Sequence, residues 1–166
     1  MGIIGLTTRE QIYSTFFSLI SNATVPNTPP GVSGLASPFV TKSRLLQHWS
    51  KVPAEQQPAL FMSQIDEGPT STNQNMSGIP YKWSLRVKLW LYSQRGADDL
   101  AIPAISMNPL MDAVMNLIRN PEIGERQSLN RLVYSVRLFG RIITDEGMLG
   151  SQAVSVVPVE LFTAEL

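Results

Sequence analysis

Few residues in this sequence are of the kind that perform chemistry. The only histidine is His48, in LLQHWSKVP, and there is no cysteine. A zinc or iron site takes three or four protein ligands, usually including His or Cys, so no transition-metal centre is expected. A Ser-His-Asp triad would have to run through His48, and no G-x-S-x-G elbow accompanies it. His48 therefore reads as a surface or packing residue beside Trp49. Paired carboxylates are the other candidates for acid–base work, and there are three pairs: Asp66–Glu67, Asp98–Asp99 and Asp145–Glu146. Each lies beside Gly or in a turn-like context, and DEGP and DEGM have the form of strand–turn signals. Neither fits the D-x-[DN]-x-[DN]-G calcium loop. Adjacent carboxylates in a strand or tight turn point in different directions, which serves a shared proton transfer poorly. All three pairs read as solvated turns. No catalytic, cofactor-binding or metal-binding residue is assigned, and no cofactor is expected.

The basic residues are better organised. Lys82, Arg86 and Lys88 alternate along one segment, and Arg131, Arg137 and Arg141 recur along another. If the two strands are neighbours, they set six cations on one sheet face. The plain reading is a solvated outer face. The functional reading is a basic patch that meets an acidic partner surface or a passing phosphate backbone. Trp90 stands in line with the first row, and exposed aromatics with Arg are typical of interfaces. The chain as a whole carries 13 basic and 13 acidic residues, without the basic excess that duplex DNA binding usually leaves. Charged residues are 16% of the chain, against roughly 25% in an ordinary soluble domain. Such a surface is either covered by Ser, Thr, Asn and Gln or buried by partners, and the second option fits an assembly subunit.

The elements that must position these residues follow from patterning. With 166 residues, one domain with a real core is expected. MGIIGLTTREQIYSTFF lacks a basic n-region and a small-residue cleavage site, so it does not read as a secretory signal. Leu6 stands where a myristoylation signal needs Ser or Thr. No apolar run reaches the roughly 18 residues of a membrane helix, and no membrane partner is expected. Thr7 and Glu10 form a T-x-x-E capping box. Ile12, Phe16, Leu19 and Ile20 then recur at helical spacing, which predicts a helix over 8–21 lying on a sheet. Residues 22–38 are rich in Pro and Gly and read as a loop or arm. Residues 57–64 read as a short strand. Residues 66–80 read as a long polar projecting loop, a length that is usually functional or disordered. Its centre, Asn73, Gln74, Asn75, Met76 and Ser77, is the candidate mobile docking loop.

Residues 81–94 give the clearest element. Trp83, Leu85, Val87, Leu89 and Leu91 face one way and Lys82, Ser84, Arg86, Lys88 and Trp90 the other, the period-two pattern of a half-buried strand. Asn108 and Pro109 read as the cap and first position of a second helix. Its buried stripe is Leu110, Val114, Leu117 and Ile118, and Pro121 closes it. Residues 128–144 read as one long strand with Leu132, Tyr134, Val136, Leu138 and Ile142 on one face. The last strand, AVSVVPVELF, contains Pro158, which cannot donate to a ladder, so an edge position or a bulge is expected there. The short connection before it makes that pair antiparallel. The expected fold is α+β: a mostly antiparallel sheet with two main helices packed on one face.

The order and spacing of QPALFMSQ, GIPYKWSLRVKLWLYSQ, SMNPLMDAVMNLI and LVYSVRLFGRIITDEGMLGSQAVSVVPVEL resemble the tail-terminator, or tail-completion, proteins of long-tailed bacteriophages. The resemblance runs from Ser43 to Leu161 and rests on several weak segments in order. It implies a non-enzymatic virion protein at the head–tail junction, assembled in the host cytoplasm. Such proteins form a hexameric ring that caps the tail tube, ends its polymerisation and offers a docking surface to the neck. The implied partners are further copies of the chain, the tail-tube protein, the neck or head-completion protein, and genome DNA that passes through the lumen without sequence-specific binding. The competing readings are another head–tail connector or stopper, a tail-tube subunit, a nucleic-acid binder using the cationic rows, and a small enzyme using His48.

Overall fold

The computed structural model describes residues 8–24, 37–70, 82–94, 103–119, 128–145 and 152–164. Within them the chain runs through α1 (Thr8–Ser21), β1 (Thr41–Ser43), β2 (Ala59–Pro69), β3 (Lys82–Gln94), α2 (Pro103–Arg119), β4 (Ser135–Leu138), β5 (Ile143–Asp145) and β6 (Gln152–Ala164). Two short 3₁₀ turns, Trp49–Lys51 and Ala54–Gln56, lie between β1 and β2. The six strands form one mixed sheet in the order β1-β2-β3-β6-β4, with β5 also on β6. Only β1–β2 is parallel; every other pair is antiparallel. Two helices on such a sheet make an α+β fold, as the patterning predicts.

The alternation of β3 explains the layering. Leu85, Val87, Leu89 and Leu91 are each fully buried, and Trp83 is partly buried against the same cluster. From β6, directly paired with β3, come Ala153, Val157, Val159 and Leu161. The helices supply Ile12, Tyr13, Phe16 and Ile20 from α1, and Met107, Leu110, Ala113, Val114 and Ile118 from α2. Each large side chain contributes roughly 1.5–3 kcal/mol on burial, so this one face holds most of the stability. A smaller cluster lies on the opposite face at one end. It joins Val52, Ala59, Phe61, Tyr92 and Val154, with Trp49, Trp90 and Val156 packed against it.

α1 has the bounds the helical spacing gives. The Glu10 carboxylate takes a two-pronged pair from Arg44, whose Nη2 donates to Oε2 at 3.1 Å; Thr7 lies outside the described residues. β2 is longer than the sequence indicates. Asp66 and Glu67 are strand residues, not turn residues, and the strand runs on to Pro69 before Thr70 donates to the Lys82 carbonyl at 2.9 Å. α2 begins at Pro103, so Asn108 is not its cap, and Pro109 lies inside it. The proline rule holds, but for Pro103.

The long strand expected over 128–144 is broken twice. Leu129, Asn130 and Arg131 have φ of 50°, 57° and 70°, a left-handed turn that delays β4 until Ser135. Gly140, at φ 91°, then turns the chain between β4 and β5. β6 is not an edge strand either: β3 flanks it on one side, and β4 and β5 on the other. Pro158 is tolerated because it falls between the two short strands. Phe139 donates to the Pro158 carbonyl at 2.9 Å. In an antiparallel ladder the N–H and C=O of a residue face the same neighbour. The missing donor of Pro158 is therefore aimed at the 139–142 break, where no ladder bond is lost.

Candidate interaction surface

β3 has one face in the main core, and its other face turns away from the helices. In antiparallel register, residues paired across strands share a face. Arg86 pairs with Glu160 on β6, and Glu160 pairs with Arg137 on β4. On the far side Arg86 pairs with Asp66 on β2. One row across four strands thus reads Asp66, Arg86, Glu160, Arg137, with alternating sign. Its ion-pair distances are 3.7 Å from Arg86 Nη1 to Asp66 Oδ1, 3.6 Å from Arg86 Nε to Glu160 Oε1, and 2.6 Å from Arg137 Nε to Glu160 Oε2.

Glu160 is the centre of this row and is only 3% exposed. The Ser84 hydroxyl donates to its Oε1 at 2.5 Å and Arg137 Nε donates to Oε2. Burial pushes the carboxyl up. The hydrogen bonds from Ser84 and Arg137 and the charges of Arg137 and Arg86 together outweigh it, and the group is held below its ordinary range. A carboxylate so saturated is a structural counter-ion, not a poised proton donor.

Aromatic rings frame the row. The Arg86 guanidinium sits 3.9 Å from the Phe139 ring centroid. Arg137 and Lys82 approach the Phe162 ring at 5.7 and 5.8 Å, and Tyr134 lies 6.1 Å from Phe162. Such cation–ring contacts are worth about 0.5–1 kcal/mol each where exposed. Tyr134, Phe139 and Ile143 remain exposed, as does most of Arg137.

The structure gathers only part of the predicted set. β6 separates β3 from the arginine-bearing segment, so the two rows are not neighbours. Lys82, Arg86 and Arg137 meet around Phe162 and Glu160, and Lys88 lies on the same face opposite Pro158. Arg131 is in the left-handed turn and Arg141 in the break after Gly140, both exposed. Trp90 belongs to the smaller cluster and donates its Nε1–H to Ser63 Oγ at 2.9 Å. Asn73, Gln74, Asn75, Met76 and Ser77 lie outside the described residues, as do Asp98, Asp99 and Glu146. Glu160 is not among the residues that the sequence pattern singles out. The available signal was a carboxylate inside the apolar run VVPVELF, which needs a buried counter-charge.

The other described candidates have neighbours in the fold. His48 is exposed; its Nδ1 lies 2.7 Å from Ser50 Oγ, and its ring is 5.2 Å from that of Trp49. Asp66 and Glu67 do point in different directions: Asp66 faces Arg86, while Glu67 accepts from Arg9 of α1 at 2.6 Å. Among the described residues no cluster of three His, Cys, Asp or Glu that suits a metal is present, and no helix is long and apolar enough to cross a membrane.

At the edge of the sheet, β1 pairs, among the described residues, only with Ala59, Leu60 and Phe61 of β2. Beyond it a groove of about 550 Å³ is lined by Arg44, Leu45, Met62, Ser63 and Gln64. Among the described residues no strand pairs with the far side of β2 from Met62 to Pro69. No protein-family model matches this chain, and no curated protein matches it in sequence.

Proposed function

We propose that the chain is a structural virion subunit of the tail-terminator kind. Copies associate into a ring that caps the tail tube of a long-tailed phage, stops tube growth and receives the neck of the filled head. The DNA passes through the lumen without sequence-specific contacts. The segments from Ser43 to Leu161 support this reading through their order and spacing. The observation that carries it is the asymmetry of the sheet. Helices cover one face, while the other presents Lys82, Arg137, Tyr134, Phe139 and Ile143 to solvent around an internally neutralised ionic row. Aromatic and Arg side chains on one exposed face are the composition of a contact surface.

Native mass spectrometry of the purified chain, alone and with tail-tube protein, tests the proposal. A ring of six copies of 18.3 kDa has a mass of about 110 kDa, and a closed species of that order on tube ends is the expected result. A monomer that persists and ignores tubes overturns it. Electron microscopy of the same samples separates a single ring from the stacked rings of a tube subunit.

A further inference from the structure

We infer that the two edges of the sheet are the two halves of a head-to-tail interface between copies of this chain, with Arg137 of one copy meeting Asp66 of the next. The inference rests on the ring reading above and adds the surfaces that close it.

The first observation is the charge row. Asp66, Arg86, Glu160 and Arg137 alternate in sign across β2, β3, β6 and β4. The row starts with an acid at one edge of the sheet and ends with a base at the other. Each end member pairs with its inner neighbour and still keeps more than half of its side chain exposed. The Asp66 side chain is 54% exposed and that of Arg137 is 62% exposed. A second copy placed edge to edge continues the alternation without a like-charge contact. Two copies joined by the same edge would set Asp66 against Asp66 or Arg137 against Arg137, which costs free energy. The row thus selects a heterologous contact, the kind that generates rings.

The second observation is strand direction. Each step from β2 to β3 to β6 to β4 is antiparallel, so β4 runs opposite to β2. A head-to-tail copy therefore presents its β2 antiparallel to β4, and the alternation of direction continues across the junction. Both edges lack a strand partner among the described residues: β2 from Met62 to Pro69, and β4 along its outer side. With Arg137 opposite Asp66, Ser135 falls opposite Gly68, and these residues all belong to the same sheet face. The basic edge is reinforced by exposed Arg131 and Arg141. Main-chain hydrogen bonds supply the attraction in such strand addition, and side-chain charge sets the register. Edge charges also guard a sheet against pairing; here the opposite signs at opposite edges turn the same device into a selective one.

The absence of native cysteine makes the test direct. Asp66→Cys and Arg137→Cys chains are prepared separately, mixed and oxidised under conditions where the wild-type chain associates by native mass spectrometry. The expected product is a disulfide-linked dimer that needs both variants, and a chain carrying both substitutions should give a ladder of linked species. Pro69→Cys with Tyr134→Cys, both at exposed positions, repeats the test one step along without disturbing Glu160. Asp66→Lys should weaken association at least about tenfold at low salt. If the wild type forms oligomers but links arise only between like positions, or not at all, the edges are not the interface and the ring reading stands. If the wild type stays monomeric even with tubes, the ring reading falls and takes this inference with it.

Discussion

The behaviour of the outer face turns on one side chain. A carboxylate 3% exposed in the middle of a strand is costly unless it is paired and hydrogen-bonded, and Glu160 is held by Ser84, Arg137 and Arg86. Ser84→Ala should cost about 1–3 kcal/mol, and Glu160→Gln about 2–4 kcal/mol because it leaves two guanidinium groups facing each other. Urea midpoints at unchanged slope measure both. The titration of these groups gives a pH window. Glu160 is lowered as above, and Glu10 is lowered by its hydrogen bond from Arg44. The unfolded chain protonates such groups near pH 4.3, before the folded one does. Their stabilisation is present above that pH and is lost as pH falls through the folded values. Tyr13 works at the other end. Burial, then the charge of Glu67, pushes its phenol up to about 12, against about 10 when unfolded. That stabilisation is complete below pH 10 and is lost as pH rises through 12. Thermal midpoints should therefore form a plateau between about pH 5 and 10 and fall on both sides; a midpoint unchanged at pH 3 contradicts the account. Both arginines were legible in the sequence. The acid between them was not, because one sequence does not state the register of strands so far apart in the chain.

Elements with a single strong period were legible, and those governed by local backbone geometry were not. α1 and β3 follow from spacing alone, since their apolar positions repeat at the helical and strand periods over the full element. The segment after α2 kept a strand-like alternation, yet three successive residues with positive φ and then Gly140 divide it. Neither turn alters the apolar pattern enough to show. Gly140 at φ 91° is the position where a side chain is strained whatever the space around it, and Gly140→Ala should cost about 1–2 kcal/mol. The α2 start was missed because two prolines six positions apart both satisfy the first-turn rule. Pro109 inside the helix sacrifices a bond to the carbonyl four residues earlier. Pro109→Ala should therefore raise stability by about 1–3 kcal/mol, read from the denaturant midpoint. A loss of stability there would mean that the proline shapes α2 for its packing. Pro158 was misjudged for the opposite reason: the rule against proline in central strands is a rule about donors, and this one has a gap to face.

At the scale of the molecule, one sheet separates a helix-covered side from a side that presents charge and aromatic rings. The helices and the main core pack on one face of the sheet, so the outer face and the two edges are free to carry charge and aromatic rings. This division was visible in the sequence as the two faces of β3, while the pairing order that places β6 between the basic segments was not. That order has a consequence in time. β3 and β6 pair along thirteen positions, from Lys82↔Ala164 to Gln94↔Gln152, and β4 and β5 have no strand partner other than β6 among the described residues. On the ribosome β6 is the last of these strands to emerge, so β3 waits with one side bare and β4 and β5 wait without a strand partner. Pairing between such distant segments folds slowly, on the order of milliseconds to seconds, and stopped-flow fluorescence of Trp83 and Trp90 on β3 would follow it. A nascent chain that stops short of β6 lacks the strand on which β4 is built, and hence the Arg137 edge of its sheet. Synthesis itself therefore sets the order: β4 takes its place in the sheet only once the chain has been translated through β6.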